Sequence, residues 1–130
     1  LRDELDRQQS VSLGAARILI LGLAYKKNVS DIRESPSFAL IELLEKHGSK
    51  VEFHDPHVGE IPITREHADL AGRKSAVLTA EKLAGYNAVL VSTDHDSVDY
   101  QLVANNAKLV VDTRNAFARR GLEGEHIVKA

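Results

Sequence analysis

Short, wholly apolar runs alternate with amphipathic stretches along most of this chain. Residues 16–22 read ARILILG, a run of branched side chains closed by glycine. A strand buried on both faces needs such a run. The polar stretch 23–34 breaks the pattern. Ser35-Pro36 then opens a helix, because serine caps free N–H groups and proline at the first helical position has none to leave unpaired. Along this helix Glu42, Glu45 and Lys46 mark a solvent face, Leu40, Ile41, Leu43 and Leu44 cover much of the rest, and Gly48 suits a left-handed terminator. KVEFH at 50–54 is a second strand, stopped by Asp55-Pro56. Residues 57–78 are the least patterned, with a short strand expected at 61–63. A short helix at 79–84, a strand at 86–92, a helix at 97–105, a strand at 107–112, a helical turn at 116–120 and a last strand at 126–129 complete the series. Residues 3–9 read as the final turns of a polar helix.

Apolar strands alternating with amphipathic helices predict an α/β fold with a doubly wound, mainly parallel sheet. Ligands of such sheets sit at the carboxyl ends of the strands. Those ends fall at 22–27, 54–57, 92–96 and 112–115.

A Rossmann dinucleotide site would place G-x-G-x-x-G on the first of these turns and an acidic residue about 20 positions later. The turn reads Gly22-Leu23-Ala24-Tyr25-Lys26-Lys27, with one glycine, and Asp55 closes the second strand after a longer interval. The sheet is thus Rossmann-like without the glycine fingerprint, and NAD is not expected on this chain. The loop itself carries Lys26, Lys27 and Arg33 against Asp31 and Glu34, between a strand end and a helix N-terminus. Positive side chains beside free backbone N–H groups favour a phosphate. The same composition also fits a solvated loop with internal Asp–Arg pairing. Asp112-Thr113-Arg114-Asn115 ends a buried strand, where arginine can pair an anion bidentately or the segment can be a turn stabilised by Asp112. His54-Asp55-Pro56-His57 lacks a third ligand at metal-binding spacing and reads as a strand-ending turn. Thr93-Asp94-His95-Asp96 reads as a turn and helix cap, since no nucleophile motif accompanies it. No metal is expected.

Composition narrows the picture in three ways. A net charge of −2 gives no general attraction to nucleic acid or an acidic membrane, so any anion site is local. With no cysteine, no thiol nucleophile or disulfide framework lies within these 130 residues, which fits a cytoplasmic protein. No apolar run approaches the length of a membrane span. The charged start LRDELDRQ does not read as a signal peptide, and the lack of any methionine makes the chain read as a piece of a longer one.

Gly22-Leu23-Ala24-Tyr25-Lys26, Asp31-Ile32-Arg33-Glu34-Ser35-Pro36, His54-Asp55-Pro56 and Asp112-Thr113-Arg114-Asn115 together resemble the C-terminal domain of the UDP-glucose/GDP-mannose dehydrogenase family, most like its UDP-N-acetylhexosamine 6-dehydrogenase branch. The resemblance runs from about Ala16 to the end. It implies an enzyme whose N-terminal domain binds NAD, whose central region carries a catalytic cysteine and joins subunits into a homo-oligomer, and whose C-terminal domain holds the nucleotide end of a UDP-sugar. The implied reaction oxidises the sugar C6 alcohol to a carboxylate through a cysteine thiohemiacetal. By position, Tyr25 and Lys26 match a pair that contacts the substrate nucleotide, and Arg114 an arginine that reaches the substrate. Asp31, Arg33 and Ser35 match positions expected to shape the loop. Tyr25 stands where phenylalanine is commoner, and Val29 where many members have threonine. On this reading 1–15 end a linker helix, 16–130 form the UDP-binding domain, and no catalytic residue lies in the chain. The alternative is a free-standing nucleotide-binding or oligomerisation module on the same fold.

Overall fold

Five parallel strands form one sheet in the order β2-β1-β3-β4-β5. The structure is a computed structural model and describes residues 12–23, 36–62 and 68–129. The strands are β1 Arg17–Leu21, β2 Lys50–His54, β3 Ala88–Val91, β4 Val110–Asp112 and β5 Ile127–Lys129, and the helices are α1 Pro36–Lys46, α2 Ala80–Gly85 and α3 Tyr100–Asn106. Every strand pair runs parallel, with Ile20 beside Phe53 and Leu90, and Leu90 beside Val111. The predicted doubly wound sheet is therefore present. The helix expected over 3–9 lies outside the described residues. Among the described residues no helix is long and apolar enough to cross a membrane.

Strand position explains strand composition. The inner strands β1, β3 and β4 are buried almost throughout, whereas the edge strand β2 alternates exposed and buried. That is why their sequences are continuous runs and KVEFH is alternating. Side chains on one sheet face, including Ile18, Ile20, Phe53 and Val111, pack with Phe38, Ile41 and Leu44 of α1. On the other face Leu19, Leu21, Val89 and Val110 pack with Leu83 of α2, and with Tyr100 and Val103 of α3. The β1–β2 crossover runs one way along the sheet and the β2–β3 and β3–β4 crossovers run the other, so right-handed connections place α1 on one face and α2 and α3 on the other. Between β1 and β3 the chain's direction along the sheet reverses, which opens a crevice above the strand ends.

Two local expectations change. Leu43 is 53% exposed, because it lies two residues, and so about half a turn, from the inward Ile41. Between β2 and α2 Glu60 forms an isolated antiparallel bridge with Lys74, and of the strand expected at 61–63 residues 61 and 62 are not in a strand while 63 lies outside the described residues. This segment is tied to α1 by a bidentate pair from Arg73 to Glu45, at 2.8 and 2.9 Å. Gly48 does adopt φ +96° beyond α1, with the following Ser49 N–H bonded to Leu44 O at 3.1 Å.

Candidate functional site

The crevice floor is built by backbone that comes unusually close. Ser92 and Thr93 N–H both donate to Leu21 O, at 2.9 and 3.1 Å, so the ends of β1 and β3 are drawn together. Gly22 has φ +88°, and a Cβ there would stand 2.8 Å from Thr93 N. Only glycine fits both constraints. From the first turn of α1, the Ser37 hydroxyl donates to Gly22 O at 3.2 Å and lies 2.5 Å from Ser92 Oγ. The loop bearing Tyr25, Lys26, Asp31, Arg33 and Ser35 lies outside the described residues. Its two ends, Leu23 and Pro36, are at this crevice.

Asp55 does more than stop β2. Its Oδ1 accepts His57 N–H at 2.7 Å, which is the expected turn. Its Oδ2 accepts Leu23 N–H at 2.6 Å and pairs with His95 Nε2 at 2.9 Å, and both side chains are fully buried. Sequence reasoning missed this pair, because 40 residues separate its members and no local pattern links them. Thr93-Asp94-His95-Asp96 is a turn as expected, but the cap of α3 is Asp99, whose Oδ1 accepts Leu102 N–H at 3.1 Å. The Tyr100 hydroxyl donates to His95 O at 2.6 Å. Burial, reinforced by Asp94 and Asp96 and opposed by Arg119 and Arg120, pushes the Tyr100 phenol up to about 12, so it remains a donor at neutral pH.

Arg114 stands where the sequence places it, at the end of β4. Both Asp112 oxygens organise its turn, accepting Arg114 N–H at 3.0 Å and Phe117 N–H at 2.9 Å. The Thr113 hydroxyl donates to Val91 O at 2.5 Å, and Asn115 takes a left-handed φ of 58°, which asparagine tolerates. Arg114 Nε donates to Ser92 O at 2.9 Å, which ties the arginine to the β3 end of the crevice. Its two terminal nitrogens make no hydrogen bond among the described residues. With Asp112, Thr113, Asn115 and Lys129 it lines an open cleft of about 490 Å³.

Charge is distributed unevenly at this end of the sheet. Arg119 pairs with Asp94, and Arg120 pairs with Asp96 at 3.2 Å while lying 4.1 Å over the Tyr100 ring. Arg114 and Lys129 have no ion-pair partner among the described residues. The Asp112 carboxylate between them is buried and engaged with backbone N–H groups. The cleft therefore favours an anion, and the free edge of a guanidinium suits a phosphate or carboxylate.

Two described residues bear on a dinucleotide site. At Gly22 the side on which a Cβ would stand is occupied by Thr93. Asp55, at the position of a ribose-binding acid, is buried and committed to Leu23, His57 and His95. Among the described residues no three His, Asp or Glu side chains are placed to hold a metal ion.

The profile described as "UDP-glucose/GDP-mannose dehydrogenase family, UDP binding domain" matches residues 19–119. A UDP-glucose 6-dehydrogenase of Haloferax volcanii is 34% identical over 125 residues, which are 93% of this chain and 28% of that protein. A UDP-N-acetyl-D-mannosamine dehydrogenase of Methanococcus maripaludis is 29% identical over 119 residues, covering 85% of this chain and 25% of the relative. The chain thus spans about a quarter of the length of these curated relatives. Among solved structures, an NDP-N-acetyl-D-galactosaminuronic acid dehydrogenase from Methanosarcina mazei shares the fold, with a TM-score of 0.71 at 22% identity over 98% of this chain and 26% of that one.

Proposed function

The chain belongs to the UDP-glucose/GDP-mannose dehydrogenase family as its C-terminal, UDP-binding domain, and from that premise we propose that it holds the nucleotide end of a UDP-sugar substrate. The observation that carries this reading is Arg114, anchored through Nε to Ser92 O with its outer nitrogens unengaged among the described residues, beside Lys129 on an open cleft at the strand ends. A diphosphate presents the paired oxygens that such a fork recognises. Tyr25 and Lys26 complete the proposed contact set, one for the nucleotide base or ribose and one for phosphate charge. Asp31, Arg33 and Ser35 shape the loop between them.

The parent enzyme, in this proposal, is an NAD-dependent 6-dehydrogenase that oxidises the sugar C6 alcohol to a carboxylate. Its NAD-binding domain and catalytic cysteine belong to the portion of the relatives that this chain does not span. This domain contributes binding and orientation. Holding the nucleotide fixes where the sugar projects, so binding energy gained far from C6 is spent on placing C6.

Calorimetry with the 130-residue chain tests the reading. UDP is expected to bind weakly and NAD to give no heat. Lys26→Ala and Arg114→Ala are each expected to weaken UDP by roughly tenfold, the size of one lost charge-assisted hydrogen bond. Unchanged affinity in both variants would remove these residues from the site.

A further inference from the structure

We propose that the buried Asp55–His95 pair is the positioning device of the nucleotide crevice, acting on ligand affinity without touching the ligand. The inference rests on the UDP reading given above. Three chain segments converge on one carboxylate: the end of β1 through Leu23 N–H, the turn after β2 through His57 N–H, and the β3–α3 connection through His95 Nε2. The last of these requires the Nε2 hydrogen on His95, since a carboxylate only accepts. The His95 ring also meets the His57 ring edge-on, with centroids 4.6 Å apart, and its carbonyl is gripped by Tyr100.

Stability alone does not account for such a pair. Taking two polar groups out of water is costly, and apolar residues of similar volume often hold a core equally well. What the pair adds is distance: it holds Leu23 and His95 to one carboxylate oxygen at 2.6 and 2.9 Å. Both ends matter to the crevice. Leu23 precedes Lys26 by three positions in the chain. His95 continues the segment in which Ser92 O receives Arg114 Nε and Ser92 Oγ meets Ser37. Asp55 and His95 therefore set the spacing between the β1 end and the segment that anchors Arg114.

The test measures UDP affinity by calorimetry and hydrogen exchange at the Leu23 amide, on the 130-residue chain. His95→Ala is expected to weaken UDP roughly tenfold or more and to speed Leu23 exchange by a similar factor, as one charge-assisted contact is lost. His95→Gln, whose amide N–H reaches the Nε2 position, is expected to restore affinity to within about threefold, as a retained hydrogen bond should. Should the alanine variant not fold, Asp55→Asn, which keeps the shape and loses an acceptor, carries the same expectation. Wild-type affinity with unchanged Leu23 exchange in the alanine or asparagine variant overturns the proposal, as does a glutamine variant no better than alanine. If the unaltered chain fails to bind UDP, the ligand reading falls. The pair's hold on the backbone is then judged on Leu23 exchange, where acceleration supports it and no change overturns it.

Discussion

Gly22→Ala is expected to lower the free energy of unfolding by about 2–5 kcal/mol, combining a left-handed alanine with overpacking against backbone. The cause is local and specific. At φ +88° the new methyl would stand 2.6 Å from Thr93 Cβ and 2.8 Å from Thr93 N. Neither neighbour can swing aside, because Ser92 and Thr93 N–H are both bonded to Leu21 O. Relief requires separating the ends of β1 and β3, which opens the crevice floor and strips Ser37 of its contact with Gly22 O. Native domains are stable by only about 5–15 kcal/mol, so a loss of this size is a large fraction of the whole. Urea unfolding curves of the two proteins measure it. A midpoint matching the unaltered chain would show that the close approach at Gly22 is not a constraint.

Asp112→Ala is expected to cost about 3 kcal/mol, with Asp112→Asn costing less. Each Asp112 oxygen holds one N–H of the turn that displays Arg114, and the Phe117 N–H is buried, so truncation leaves an amide unsatisfied. Phe117 is itself fully buried and meets the Tyr100 ring edge-on, with centroids 5.3 Å apart. Loss of the carboxylate therefore loosens the core under α3 as well as the position of Arg114. UDP affinity should fall together with stability in the alanine variant. In asparagine the remaining carbonyl oxygen keeps one of the two bonds, and both quantities should fall less. An alanine variant as stable as the unaltered chain would contradict the account of this turn.

The strands were legible because inner strands of a parallel sheet must be apolar throughout, and ARILILG and AKLVVD have no other economical use. Their limits were less so. Tyr86 and Ala107 are buried but lie outside β3 and β4, so the apolar runs report burial beyond the paired residues. The start of α3 lies later than the sequence pattern from 97 predicts, for a similar reason. Val98 is buried, yet the helix begins only after the Asp99 cap. Residues 57–78 resisted reading because single long-range ties, such as Arg73 to Glu45, hold the described part, and no periodicity records them.

The candidate site divides along the same line. Arg114 is proposed from its local motif, and its turn is held by Asp112 as the plainer reading of that motif requires. Both readings are compatible, since a stabilised turn is what presents the guanidinium. The sequence marks Asp55 as a turn residue at the end of the second strand, without its buried partner His95. Its bond to His57 is local and visible in the sequence, whereas its bonds to Leu23 and His95 depend on which strand ends become neighbours. The order β2-β1-β3 brings them together, and order along a sheet is not written in any one segment.

In the proposed function UDP sits at the carboxyl ends of the strands. Titrating the ¹⁵N-labelled chain with UDP and following its amide signals tests that most directly. Signals of Gly22, Leu23, Ser92, Thr93, Arg114 and Asn115 are expected to move together, saturating at one affinity. Those of Arg17, Glu52, Lys82 and Tyr86, which line a separate cleft of about 320 Å³ at the opposite end of the sheet, are expected to stay still. Shifts confined to that opposite cleft, or no shifts at any UDP concentration, would contradict it.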